Sequence, residues 1–363
     1  MTAARCRVVV LHTDQGMGTL IKIYNKAGKT EKLTSLALVD LGSETRTKRY
    51  AGDALDVIAN ALGEMTTPFF DFIVISHQDT DHWSLLPDLS KRLQKDYPKT
   101  GVGMIYRGGF RWKKRATSAV GDFANQWGAD EEPWSTTLTD YSNPATGPTW
   151  FHHIDGVVFR VLMVNADSTR SVANGTSAVI TVEFGGTTAI LPGDATAQTL
   201  AAINATLWQW RNAGKANPVH PCLLLTAPHH GSLATISDNF TTKNPKLTIA
   251  NAFANYVSAR WLAASAGYES HFNHPSKVVM ETLSPAVGKD AVTHNFIVFN
   301  NDTGRWESIS NTNVNIFTTI STLTDPPVRT SWEFDMLPGG MVAFRSVLTP
   351  ASRRLLQARA RPG

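Results

Sequence analysis

The sequence predicts a mixed α/β (α+β) fold, and three observations predict it. Short apolar segments alternate with helical periodicities through the first 300 residues. Residues 72–75 are apolar at every position and residues 223–227 nearly so, as expected of strands covered on both faces. The chain of 363 residues is 42% hydrophobic and only 18% charged, enough to build the core of one large or two ordinary domains.

Taken in order, residues 7–11 and 19–24 read as a hairpin-like strand pair around the turn Asp14-Gln15-Gly16-Met17-Gly18. Residues 36–39 form a strand ending at Asp40-Leu41-Gly42. Leu55, Ile58 and Leu62, spaced by three and four, mark one face of a helix. Residues 103–150, rich in Gly, Trp, Thr, Asp and Pro, break the rhythm and predict a surface insertion. Strands resume at 157–164, 177–184 and 187–191, the last two joined by the hairpin signal Gly185-Gly186. Leu200, Ile203 and Leu207 mark a second helix face, and residues 275–283 open a helix with proline near its first turn. Beyond residue 301 the texture changes to β-branched and polar runs at 314–320 and 331–344, closing on an arginine-rich end. This predicts one domain over residues 1–300 and a β-rich C-terminal extension, 301–363, packed on it, because about 60 residues offer too little core to stand alone.

Composition excludes several classes. Cys6 and Cys222 are too few and too far apart for a disulfide framework or a cysteine zinc site, so nothing calls for an oxidising compartment and a cytoplasmic location is expected. Neither a signal peptide nor a membrane span can be drawn, so no membrane partner is expected. The net charge of +4 is mild but uneven. Arg107, Arg111, Lys113, Lys114 and Arg115 interleave with Tyr106, Phe110 and Trp112, and four arginines, Arg353, Arg354, Arg359 and Arg361, sit in the tail. Such a mixture stacks on bases and holds phosphates, making nucleic acid the expected partner; a solvated surface loop would produce the same run.

The densest chemistry is Ser76-His77-Gln78-Asp79-Thr80-Asp81-His82, directly after the apolar strand. Two imidazoles and two carboxylates gathered at a strand end lose hydration and repel, and divalent cations offset both costs. Three further loops follow predicted strands. Pro192-Gly193-Asp194 leaves one aspartate at a strand tip, where it can bridge two cations. Pro228-His229-His230-Gly231-Ser232 brings two imidazoles and a hydroxyl, and Phe272-Asn273-His274-Pro275 sets His274 ahead of a helix.

These motifs, in this order and after buried strands, resemble the metallo-β-lactamase fold superfamily. With aspartate at position 79, where the first motif usually has its second histidine, they are more narrowly similar to the ComEC-like (competence protein) hydrolase domain. Asp14-Gln-Gly-Met-Gly18, Asp40-Leu-Gly42 and Asn174-Gly-Thr-Ser177 resemble that group's supporting segments. The resemblance covers about residues 7–290. It implies an αββα four-layer sandwich with a metal site on one edge, holding one or two divalent ions. Carried over by residue, His77 and Asp79 hold one metal, Asp81, His82 and His229 the other, and Asp194 bridges them. The histidine that usually completes the first site has only His152 and His153 as candidates. Carboxylate in place of imidazole hardens the donor set, so manganese competes with zinc.

Two bridged cations would lower the pKa of a shared water and neutralise phosphodiester oxyanions. Asp81, His230 and His274 are the catalytic candidates, either histidine supplying the leaving oxygen's proton; Ser232 and Asn273 are placed to hold a non-bridging oxygen. With Arg107, Arg111, Lys113 and Lys114 as phosphate contacts, the expectation is a metal-dependent phosphodiesterase or nuclease. A metallohydrolase of a small ester (cyclic nucleotide, phosphocholine ester or lactone) fits the same site, as does a metal-binding regulatory module with reduced catalysis.

Overall fold

The computed structural model describes residues 3–348 apart from 45–51, 111, 168–172, 266, 268–271, 285–294, 311–314, 321, 325–327 and 341. Arg111, His271, His294 and the tail arginines therefore lie outside the described residues. The first half of the chain contains β1 (Ala3–Val10), β2 (Gly18–Ala27), β3 (Thr30–Leu41), α1 (Gly52–Glu64), β4 (Phe69–Ile75) and the single turn α2 (Thr80–Trp83). It continues with α3 (Leu86–Asp96), β5 (Gly101–Arg107), α4 (Lys114–Trp127) and β6 (Asp130–Pro133). The second half contains β7 (His152–Ile154), β8 (Val157–Met163), β9 (Val179–Phe184), β10 (Thr187–Leu191), α5 (Ala197–Asn212), β11 (Cys222–Thr226) and α6 (Leu233–Ile236). After these come α7 (Thr248–Val257), β12 (Trp261–Ala264), α8 (Lys277–Leu283), β13 (Asn295–Asn300), β14 (Arg305–Ser310), β15 (Ile316–Thr318), β16 (Thr330–Met336) and β17 (Val342–Leu348).

Two large sheets result. One runs β17-β16-β1-β2-β3-β4-β5-β6 and the other β15-β12-β11-β10-β9-β8-β7, with β13 and β14 as a separate hairpin. Alternation along β4 shows how the layers stack. Phe72 and Val74 enter a core shared with Phe159, Ile180 and Val182 of the opposite sheet, while Ile73 and Ile75 face Ile58, Leu62, Leu89 and Phe123 of α1, α3 and α4. On the far side, Leu200, Ile203 and Leu207 of α5 pack with Phe253 and Val279 of α7 and α8 against the outer face of the second sheet. Helix, sheet, sheet, helix is the αββα sandwich that the motifs imply.

Residues 101–133 differ from the expected insertion. They supply β5, β6 and α4, because Val120, Phe123, Ala124 and Trp127 give α4 an apolar face that buries against the first sheet. Gly101 and Gly103 interrupt the apolar signal of β5 where Phe69 and Asp71 of β4 leave no room for a Cβ. Residues 134–150 carry no helix and no named strand. The segment beyond residue 300 contributes to both sheets: β15 pairs parallel with β12, and β16 pairs antiparallel with β1. Buried Arg7 ties β1 to β16 through Asp335, at 2.6 Å and 2.8 Å, and Glu333, at 2.8 Å. Among the described residues no helix is long and apolar enough to cross a membrane.

Candidate metal centre

Parallel pairing places the polar loops together. β3, β4 and β5 are mutually parallel, as are β10, β11 and β12, so their C-terminal tips share one edge of the sandwich. Gly193, at φ +54, lets the two tips approach: a Cβ there would lie 2.6 Å from Ser177 Oγ and 2.9 Å from Ser76 Cβ. Beneath α2, a Cβ on Gly42 would overlap the backbone of Asp81 and His82, while Met17 N–H donates to the Asp81 carbonyl at 3.0 Å. The Asp14-Gly18 and Asp40-Gly42 segments therefore form the floor under the metal-ligand turn.

Asp194 is the centre of the site. Its backbone N–H donates to Ser177 Oγ at 3.0 Å, and its carboxylate is almost fully buried. Oδ1 lies 3.0 Å from His82 Nε2 and 3.7 Å from His230 Nε2; Oδ2 lies 3.6 Å from His77 Nε2 and 3.5 Å from His229 Nε2. Asp81 Oδ2 is 3.4 Å from His230 Nε2, and Asp79 Oδ2 is 3.5 Å from His77 Nε2. The candidate ligands thus divide into two groups, Asp81, His82 and His230 about one oxygen of Asp194, and His77, Asp79 and His229 about the other. Ligand atoms of Asp81, His82, Asp194 and His230 all fall within 4.8 Å of one another.

This grouping exchanges the two consecutive histidines relative to the sequence expectation, which puts His229 with Asp81 and leaves His230 to carry a proton. The cause is backbone. His229 (φ 44, ψ 52) and His230 (φ 53, ψ 14) both adopt left-handed conformations, and the tight turn delivers neighbouring rings to opposite oxygens of Asp194. His229 thereby stands on the His77 side of Asp194, where His152 and His153 are the sequence candidates. His152 belongs to an aromatic cluster instead, 4.6 Å from the Phe72 ring.

The residues fit a divalent cation by their chemistry and by what they lack. His77 Nε2, His82 Nε2, His230 Nε2 and Asp194 Oδ1 are buried with no hydrogen-bond partner, a cost that native interiors avoid unless an ion satisfies such atoms. Burial disfavours charge at His82, yet Asp194, Asp40 and Asp81 hold its imidazole well above the ordinary range. His230 is likewise raised, against burial, by Asp81 and Asp194. Burial would raise Asp81, but His82 and His230 lower it to about 2, and Asp194 is held well below its ordinary value, against burial, by His229, His82 and His77. Without an ion, imidazolium and carboxylate neutralise each other; a cation would replace those protons.

Surrounding groups orient the ligands. Asp40, in a left-handed backbone conformation at φ 58, sits 2.8 Å from His82 Nδ1 and accepts from the Ser76 N–H at 2.7 Å, so Nε2 of His82 faces Asp194. The Asn174 amide lies 3.2 Å from His229 Nδ1. Neither residue is a site candidate by sequence, although both stand in segments, Asp40-Leu41-Gly42 and Asn174-Gly175-Thr176-Ser177, that resemble the family's supporting segments.

A cleft of about 700 Å³ opens over the cluster, lined among others by Glu44, Asp79, Asp81, Asn174, Ser232 and His274. His274 stands 5.9 Å from the His229 ring, and burial, with His229 and His230 nearby, pushes its imidazole down to about 3. Asn273 does not line this cleft; it lines an adjoining cavity. Arg107 pairs with Glu131 at 3.0 Å and lies over Trp112 at 5.2 Å, which engages its guanidinium within the protein. Lys113 and Lys114 are exposed beside the metal loop, the Lys113 N–H donating to Gln78 Oε1 at 2.7 Å.

No family model and no curated protein matches the chain. Among solved structures it is similar to a long form RNase Z from yeast, with 12% identity and a TM-score of 0.41 over 76% of this chain and 39% of that one. It is also similar to the metallo-β-lactamase fold protein YhfI from Bacillus subtilis (13%, TM-score 0.42, 77% and 93% covered) and to a diphosphatase from the PhnP family (13%, TM-score 0.38, 72% and 87%). The chain spans 39% of the RNase Z length. Likeness this weak carries nothing about activity, and the fold rests on the layers and strand tips themselves. The fold is an αββα four-layer sandwich.

Proposed function

We propose that this protein is a metal-dependent phosphodiesterase acting on nucleic acid, of the ComEC-like branch. One observation carries the metal-dependent half of the proposal: the two oxygens of buried Asp194 each face their own set of imidazole and carboxylate ligands. His77, Asp79 and His229 would hold one cation and Asp81, His82 and His230 the other. When bound, such a pair neutralises phosphodiester charge and makes water acidic enough to attack near neutral pH. The carboxylates Asp79, Asp81 and Asp194 favour a hard ion, so manganese stands beside zinc.

The chain's own residues then bind and orient. Asp40 and Asn174 fix the ring orientations of His82 and His229. Ser232, on the cleft wall, offers a hydroxyl to a non-bridging oxygen. His274 borders the cleft, where its imidazole is placed to donate a hydrogen bond to the leaving oxygen. Exposed Lys113 and Lys114 beside the metal loop supply phosphate contacts, which favours a polymer over a small ester.

The test is cleavage of DNA and RNA by purified protein with zinc or manganese added, beside a panel of small phosphate esters and lactones. Metal-dependent scission of nucleic acid, abolished in Asp81→Ala and His82→Ala, is expected. Turnover of small esters alone would remove nucleic acid as the substrate, and bound metal without turnover of any ester would leave a binding module.

A further inference from the structure

Next to the metal cleft lies a second cavity of about 360 Å³, within the size range of ligand pockets. The two share the wall residues Ala234, Phe272 and His274, so a molecule held in one reaches directly into the other. Their boundary is aromatic. Phe272 is 42% exposed, and its ring lies 6.1 Å from the His274 ring at only 29° between planes. His274 in turn contacts the His229 ring at 5.9 Å. Phe272 is thus two ring contacts from a residue beside the bridging carboxylate.

The remaining wall is polar in a particular way. Asn273, Asn301 and Thr242 line the cavity with neutral donors and acceptors, and no lysine or arginine is among the lining residues. Asn301 Oδ1 already accepts from Ser276 Oγ at 2.5 Å, which fixes that side chain and leaves its NH2 as donor. An aromatic face beside uncharged amides does not suit a phosphate. It suits a planar heterocycle whose edge carries hydrogen-bonding atoms.

We propose that this cavity is a base subsite: it receives the nucleobase attached to the phosphodiester held over the metal cluster, stacked on Phe272 with the amides of Asn273 and Asn301 at its edge. The occupant's phosphate is assigned through the proposed phosphodiesterase function, while the subsite has its own test. Asn273 accordingly acts on the base rather than on a non-bridging oxygen. Stacking of this kind tolerates any base, so the subsite selects nucleotides over other phosphodiesters without dictating sequence.

The probe pair is AMP and ribose 5-phosphate, titrated calorimetrically into the full-length protein in excess manganese chloride. Both carry the phosphate, and only AMP carries the base. AMP is expected to bind roughly five-fold or more tightly than ribose 5-phosphate. Phe272→Ala should erase that difference and leave ribose 5-phosphate unaffected, and Phe272→Trp should restore it in a protein whose circular dichroism matches the parent. Equal binding of the two probes, a preference that survives Phe272→Ala, or binding of neither would overturn the subsite. The cleavage assay is read separately: an AMP preference dependent on Phe272 without nucleic-acid scission keeps the subsite and removes the nuclease, and scission without the preference does the reverse.

Discussion

His82 uses its two nitrogens for different duties, and the partner of the inner one sets the geometry of the outer one. Asp40 beside Nδ1 leaves Nε2 directed at Asp194. Asp40→Asn keeps the size and removes the charge, so a titration against a chelating dye should find metal affinity lowered about 10- to 100-fold in a protein that remains folded. The exchange of His229 and His230 makes a second prediction. Elemental analysis of His230→Ala should show loss of the ion grouped with Asp81 and His82, and His229→Ala loss of the ion grouped with His77 and Asp79. Removal of the same ion by both variants would contradict the grouping. The imidazoles and carboxylates that meet at the strand tips were legible at this scale because the sequence crowds them into short motifs. Which of two adjacent histidines serves which site was not, since a pair of left-handed φ values is no property of the dipeptide by itself.

The α2 turn depends on what lies under it. Gly42 touches the backbone of Asp81 and His82 so closely that a side chain of any size must push the turn outward. Gly42→Ala should therefore lower stability by about 1–3 kcal/mol in urea denaturation and weaken metal binding in the same protein, although residue 42 is not a ligand. Elements with strong periodicity were readable: α5 buries Leu200, Ile203 and Leu207, and α1 buries Ile58 and Leu62 with Leu55 half-buried beside them. The 101–133 region was misleading because glycines in β5 and polar residues on the outer face of α4 imitate a loop. Burial against a sheet built from distant segments is what makes them a strand and a helix.

Across the whole molecule, protons and cations compete for one buried cluster. The folded pKa values of His82 and His230 are raised, so the stability they contribute to the metal-free protein is fully present below their unfolded pKa of about 6.5 and is lost as pH rises through the folded values. Metal binding needs the neutral rings, so its affinity increases over the same window. Melting curves with and without added manganese should therefore separate further as pH rises above about 6.5. A separation that narrows with pH would contradict the coupling. The sandwich core permits an independent check. Phe317 of β15 packs edge-on against Trp261, Trp332, Phe334 and Phe344, joining the two sheets through the late strands. Phe317→Ala should cost about 3–5 kcal/mol in urea denaturation without altering metal stoichiometry.

By itself the sequence determined the fold class, the strand-end position of the chemistry and the short motifs that hold the candidate ligands. Apolar runs, 3.6-residue periodicity and crowded His/Asp motifs are local, and the physics behind them acts over a few residues. Tertiary structure alone decided which oxygen of Asp194 each imidazole faces, that Asp40 and Asn174 orient the rings, that Arg107 is engaged by Glu131, and that Phe272 and Asn301 meet beside the cleft. Each of these joins residues far apart along the chain. Parallel strands from two sheets bring them to one edge, and no local pattern records that meeting.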